Sequence, residues 1–373
     1  MSFRRAADAA RAGIFRVPRR LLLVLSFSAM AALSVSCGGS AKSDATHQAY
    51  LTLPQKGNVA LLHINDSSGA ISVVSQTAPV VGTSPNGVAL DPGKKFLYVS
   101  NGSPANSVSV YNIGGDGTLT QNGNALPVGS GPRFMVVDPS GKYLLITNSF
   151  DNNVSVYSLG SGTLTLVGNA PADKNPNELV FFPSGEFVYV SNSTGFISAY
   201  AFNSGNGNMT PVPGSPFPSG GGLAGLAIDQ TKHYLFAANA TDNTVSVFTI
   251  DSGTGVLHRI SGSPFPAGTG PRALTMDTTN AFLYVANQGS DNVSAFSLDP
   301  ATGTLIPITG SPFSAGTEPI FIVAEPAGGF IYVGNQKGTN ITSFSYDATG
   351  KLTAVSGSPF TVPSAPGALV IVH

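Results

Sequence analysis

A hydrophobic strand ending in asparagine returns along this chain at intervals of 47, 44, 47, 48 and 48 residues. Each return lies inside a unit of four short strand-like runs. The two ends of the chain are incomplete in complementary ways: ALVIVH at the C-terminus has no second strand after it, and AYLTLP at 49–54 has no strand before it. These three observations predict an all-β fold, a seven-bladed β-propeller with four antiparallel strands per blade. The ring is expected to close when the C-terminal strand joins the N-terminal blade, which removes the free edge of an open array.

The unit is clearest at 271–308, where ALTMD, FLYVAN, NVSAFSL and TLIPI are separated by Asp, Asn, Gly, Pro and Ser clusters. Aromatic and β-branched residues favour strands, and those separators favour turns. The asparagines are Asn101, Asn148, Asn192, Asn239, Asn287 and Asn335. Before them, seven inner-strand copies start at Pro85, Pro132, Pro176, Leu223, Pro271, Pro319 and Pro366. Third strands such as NNVSVYSL alternate apolar with small polar residues, which predicts apolar packing between neighbouring blades. Four outer strands lead into Gly-Ser-Pro-Phe at Gly214, Gly262, Gly310 and Gly357, where proline suits a strand end. The first blade is expected to use 48–54, 58–65 and 70–76, with the C-terminal strand innermost.

Residues 1–36 read as an export signal: six arginines, then the 13-residue apolar run Leu21–Leu33, too short to span a bilayer as a helix. The run leads to Ser36-Cys37-Gly38-Gly39, and Cys37 is the sole cysteine. This resembles a bacterial lipoprotein signal, which implies a diacylglyceryl group on Cys37 and a membrane-anchored protein of the cell envelope. Residues 37–47 are small and polar and read as a flexible tether, leaving 48–373 as the propeller.

The whole chain has 18 basic and 19 acidic residues, a net charge of −1. Without the leader's six arginines and one aspartate, 12 basic face 18 acidic residues, a net −6. There is no basic stripe, which argues against a nucleic-acid partner. No His, Cys and carboxylate residues stand at metal-ligand spacing, and neither a phosphate loop nor a Gly-x-Ser-x-Gly elbow occurs. No cofactor is expected, and the protein is expected to be a monomer.

Because successive strands run antiparallel, the start of each inner strand and the end of each second strand share one face. The channel mouth is therefore expected to carry the residue after each inner-strand proline, notably Asn86, Arg133, Asn177 and Arg272. Gln288 and Gln336 follow the anchoring asparagines around it, and Glu178 and Glu318 belong to the same rim. A concave mouth with a few convergent polar groups is the default ligand site. Two facing guanidinium groups, Arg133 and Arg272, suit a carboxylate or phosphate. The expected partner there is an anionic small molecule or an envelope protein.

Residues 48–373, above all GPRALTMDTTNAFLYVANQGSDNVSAFSLDPATGTL, resemble the seven-bladed lactonase family, including the 6-phosphogluconolactonase type and YVTN-repeat relatives. The resemblance implies site groups from Gly-Pro-Arg-His before an inner strand and Asn-Glu after a second strand. Gly270-Pro271-Arg272 matches, but Ala273 stands at the histidine position and Gln288 at the glutamate position. Lactone opening needs a base to activate water and donors for the oxyanion. Alanine and glutamine supply neither a base nor a titrating acid, so the leading expectation is a ligand- or protein-binding or scaffold module. The alternatives are a lactone hydrolase of altered site, with Arg272, Glu318 and Glu178 as its catalytic residues, and a surface structural or adhesion protein.

Overall fold

A computed structural model describes residues 45–77, 84–231 and 234–372. Cys37, the leader, most of the expected tether, His233 and His373 lie outside the described residues. Every regular element among the described residues is a strand, and the strands form seven antiparallel sheets. In blade 1, Leu369–Ile371 pairs with the strand Thr46–Leu53 in the register Ala49↔Ile371, Tyr50↔Val370 and Leu51↔Leu369. The tail of the chain thus forms the innermost strand of the first blade. Blades 2 to 7 begin with the inner strands Pro85–Leu90, Pro132–Val137, Pro176–Phe181, Leu223–Ile228, Pro271–Met276 and Pro319–Ala324.

The core lies between blades rather than in one centre. Tyr143, Leu145 and Val154 of blade 3 pack on Leu179, Val188 and Tyr200 of blade 4. Ala49, Leu51 and Leu62 of blade 1 pack on Phe321, Tyr332 and Ile341 of blade 7, so hydrophobic burial closes the ring. Tyrosines of the second strands add a polar lock: the hydroxyls of Tyr50, Tyr189 and Tyr284 donate to the carbonyls of Gly117, Gly255 and Gly350 at 2.8, 3.0 and 2.9 Å. In each case the acceptor belongs to the next blade.

The polar face of the third strand is buried as well, which the alternation alone does not reveal. Nδ2 of Asn101, Asn148, Asn239 and Asn287 donates to the hydroxyls of Ser109, Ser155, Ser246 and Ser294 at 2.7–2.9 Å. The anchoring asparagine is therefore a buried clamp from second to third strand, satisfied by a hydroxyl that the alternating pattern places opposite it.

The Gly-Ser-Pro-Phe segments split the outer strand in two, and both pieces pair with the third strand, as in Met209–Pro211 and Phe217–Pro218. The serine hydroxyl accepts an amide from that strand, Ala199 N to Ser215 Oγ at 2.9 Å, and Phe217 enters the interblade core. One boundary differs from expectation. The first strand starts at Thr46, so the last two residues assigned to the tether belong to blade 1. His47 pairs with Ile64, and its ring lies 2.7 Å from Asp66 Oδ1 and 3.0 Å from Glu325 Oε1. Carboxylates rather than apolar contacts hold it, so hydropathy gives no sign of it.

Candidate functional site

The site begins with a backbone irregularity. In blades 2 to 7 the residue opening the inner strand pairs with the anchoring asparagine, and the ladder then slips before resuming: Pro132↔Asn148 gives way to Met135↔Ile146, and Pro176↔Asn192 to Leu179↔Val190. The slip in blade 6 is shorter, Pro271↔Asn287 followed by Ala273↔Ala286. A bulge leaves residues unpaired and re-aims their side chains. Arg133, Glu178 and Arg272 occupy these bulges.

In four blades a hydroxyl just before the second strand's last residue or asparagine fills the gap. Gly87, Phe134, Glu178 and Ala368 donate their amides to Ser100, Thr147, Ser191 and Thr52 at 2.8, 3.1, 3.0 and 2.7 Å. Thr147 and Ser191 also donate to the carbonyls of Asn177 and Ala224 in the next blade, at 2.8 and 2.7 Å. Ala238, Ala286 and Gly334 take this position in blades 5 to 7. At Gly334 an added Cβ would lie 1.9 Å from the Phe321 ring, so a ring fills the space a hydroxyl takes elsewhere.

Glu178 is half-buried and reaches from blade 4 into blade 5, where Oε2 accepts the Leu226 amide at 3.3 Å. Gly225 makes room for it: a Cβ there would stand 3.0 Å from Glu178 Oε2 and 2.7 Å from the Arg272 carbonyl. Loss of water around the carboxyl pushes the Glu178 pKa up to about 7, although the Leu226 amide and the Arg272 charge pull the other way. Arg272 has its own pKa lowered by burial, partly offset by Glu178. Arg133 is solvent-accessible, yet the surrounding strands and the Arg272 charge push its pKa down to about 10, so it stays charged at neutral pH. Neither arginine is in any of the ion pairs within 4.0 Å among the described residues. Arg133, Glu178 and Arg272 thus come together electrostatically, from blades 3, 4 and 6.

The other expected residues are placed as follows. Asn177 is buried; its Nδ2 donates to Ser193 Oγ and to the Leu223 carbonyl, both at 3.0 Å, while its Oδ1 has no partner. Asn86 is half-buried with its amide against Gly102, where an added Cβ would be 2.5 Å from Nδ2. Gln288 and Gln336 are tied to the rim by their backbone amides, to the carbonyls of Gly270 and Glu318 at 2.8 and 2.9 Å. Glu318 stands apart from the arginines: its φ is +54°, its amide donates to Asp291 Oδ1 at 2.8 Å, and its carboxylate pairs with Lys337. The sequence reading missed Gly225, the Leu226 amide and the hydroxyls of Ser100, Thr147 and Ser191. Their one sequence signal is the Ser or Thr preceding Asn101, Asn148 and Asn192, against Ala or Gly preceding the later asparagines. Among the described residues, no three His, Cys, Asp or Glu side chains gather to hold a metal ion.

Solved structures share this architecture. A Bacteroides fragilis protein assigned as a 6-phosphogluconolactonase superposes with a TM-score of 0.77 at 20% identity, covering 89% of this chain and 99% of the other. The periplasmic gluconolactonase of Pseudomonas aeruginosa gives 0.74 at 20% identity, covering 88% and 99%. A Bacteroides uniformis protein of the same assignment as the first gives 0.75 at 18%, covering 88% and 99%. At such identities the likeness concerns the fold. No curated protein sequence matches the chain significantly. The profile of the family described as Lactonase, 7-bladed beta-propeller matches residues 41–181 and 179–323. With that match spanning most of its length and seven blades closed around a channel, the chain belongs to the seven-bladed β-propeller lactonase family.

Proposed function

We propose that the protein is a lactone hydrolase whose reaction runs at the channel mouth between Glu178, Arg272 and Arg133. One observation carries the reading: the half-buried Glu178 carboxyl, set against Gly225 and the Leu226 amide, lies in the field of Arg272, with a second arginine, Arg133, in the field of the first, and loss of water raises its pKa to about 7. A general base works best when its pKa is near the operating pH. In this scheme the Glu178 carboxylate takes a proton from water as the oxygen adds to the lactone carbonyl. The Arg272 guanidinium stabilises the oxyanion. The acyl C–O bond then breaks, the ring oxygen leaves as an alcohol with the proton from Glu178, and the carboxylic acid so formed loses its remaining proton to solvent and rests as a carboxylate against Arg133. The family match supports this reading over a binding or scaffold module. The binding reading is favoured by a separate observation, Ala273 and Gln288 at the positions where the family carries acid–base groups.

A panel of sugar and alkyl lactones offered to the mature chain in a pH-stat assay tests the proposal. Acid release that disappears in Glu178→Gln and Arg272→Ala supports it, whereas unchanged turnover in both variants moves the reaction away from these residues, and no turnover in the wild type returns the protein to the binding class. We further propose an envelope location with lipid on Cys37, in keeping with the periplasmic description of the P. aeruginosa structure. Metabolic labelling with a palmitate analogue checks this, and label that survives Cys37→Ser would reject it.

A further inference from the structure

Below the charged mouth the channel changes character. A cavity of about 520 Å³ is lined by Val88 and Leu90 of blade 2, Phe134 and Val136 of blade 3, and Val370 and Ile371 of blade 1. These residues all come from inner strands of three successive blades, which can be touched together only from inside the channel. A groove between two blades would include third or outer strands. Its volume lies within the range that holds small-molecule ligands, and its walls are mostly apolar.

Arg133 adjoins the cavity along one strand. Phe134, at the upper end of the lining, directly follows Arg133, and Val137 lies at the lower end. At about 3.3 Å per residue the lining of this strand runs for roughly 10 Å. That length suits a medium acyl chain. The lower opening lies between the turns of Asp91 and Asp138, whose carboxylates are both bound to backbone amides. That end carries two carboxylates against one ammonium, Lys94, and the other end an unpaired guanidinium, so the charge balance favours an anionic amphiphile lying head toward Arg133.

We infer that the channel is an amphiphile site, taking a carboxylate or lactone head at Arg133 and an apolar chain along the inner strands of blades 1 to 3. The inference extends the hydrolase reading, on which it rests for the lactone head, to the tail of the substrate. The carboxylate form of the ligand needs no turnover to be detected.

Calorimetric titration of the mature chain with acetate, hexanoate and decanoate at pH 7 tests it. Each buried methylene tightens binding by up to about fourfold, so decanoate should bind at least about tenfold more tightly than hexanoate. Arg133→Gln should weaken decanoate about tenfold or more, and Val136→Phe should weaken decanoate while sparing acetate. Equal affinity across the three chain lengths, or no change in Arg133→Gln, overturns the inference. Arg133 is solvent-accessible and outside the interblade clusters, so its variant decides the matter even if Val136→Phe does not fold. Decanoate binding without turnover of any lactone would sink the hydrolase reading and leave this one standing. Turnover whose KM ignores chain length, with no decanoate binding, would do the reverse.

Discussion

The two ends of the inner strands, best seen in blades 3 and 6, use charge in opposite ways. At the far end an aspartate closes the turn into the second strand and is saturated by amides. Asp138 accepts Ser140, Lys142 and Tyr143 amides at 3.0, 2.8 and 2.7 Å, and Asp277 accepts those of Thr279, Ala281 and Phe282 at 3.0, 2.9 and 2.8 Å. At the mouth end a bulge sets Arg133 and Arg272 in the channel with no anion within ion-pair distance, and Glu178 with one long amide contact. A carboxylate holding three amides has its lone pairs committed and serves the fold. A charge whose partners are absent keeps its capacity for a ligand, and the fold bears that cost where a function can use it.

The sharpest test of this contrast exchanges one carboxyl at each end. Glu178→Gln keeps the side chain's shape and should lower turnover about 1,000-fold with little loss of stability, since it removes the base alone. Asp277→Ala should do the opposite. It orphans three amides in a buried turn and should cost about 2–4 kcal/mol in urea unfolding, while kcat changes by less than about threefold. If the two variants exchange these phenotypes, the assignment of roles to the two ends is wrong.

Much of the frame was visible in the residues, because a propeller is its own repeat. The six asparagines and the unpaired terminal strands dictate blade number and closure, since a strand with one face buried has only one register that keeps its apolar residues inside. The site was only half visible. Arg133, Arg272 and Glu178 could be placed on one face by counting strands, but pairing distances on a rim depend on bulges. The bulges depend on hydroxyls such as Thr147 and Ser191, which look like ordinary strand residues. Glu318 illustrates the limit. Its position beside a proline resembles that of the channel residues, yet a φ of +54° and Lys337 draw it aside. His47 shows the same limit near the chain's start, where a contact with the Glu325 carboxyl, distant in sequence, fixes a residue that composition assigns to a tether.

A second test varies pH. The Glu178 pKa is raised to about 7, from an ordinary value near 4.5. A raised carboxyl pKa means that the fold favours the protonated form. Its contribution is therefore complete below about pH 4.5 and is lost as pH rises through about 7. Relative to Glu178→Gln, the wild type should lose on the order of 2 kcal/mol between pH 4.5 and 8, with no further change above that. The base must be ionised to act, so kcat/KM should rise with pH through the same range. Arg272→Gln removes the cation that favours the carboxylate, so in that variant the loss of stability should move to higher pH. A stability difference flat with pH would place the Glu178 carboxyl in ordinary solvent and dissolve the contrast between the two ends.

The smallest effect is expected at Arg133, and its smallness is the point. The guanidinium makes no hydrogen bond or ion pair among the described residues, and its nearest electrostatic neighbour of note is the like-charged Arg272. A charge held for structure is missed when it goes, as buried pairs show by losses of several kcal/mol when one partner is removed. A charge held for a ligand is not missed until the ligand is added. Arg133→Gln should therefore change the unfolding free energy by no more than about 0.5 kcal/mol, the range of a substitution away from any packed or paired feature. Relief of repulsion from Arg272 should make any change a gain. Urea unfolding of the two proteins at low salt measures it, and added salt should erase the gain by screening. A loss of about 2 kcal/mol instead would show that Arg133 braces the channel wall, and would remove it as the arginine free to bind an anion.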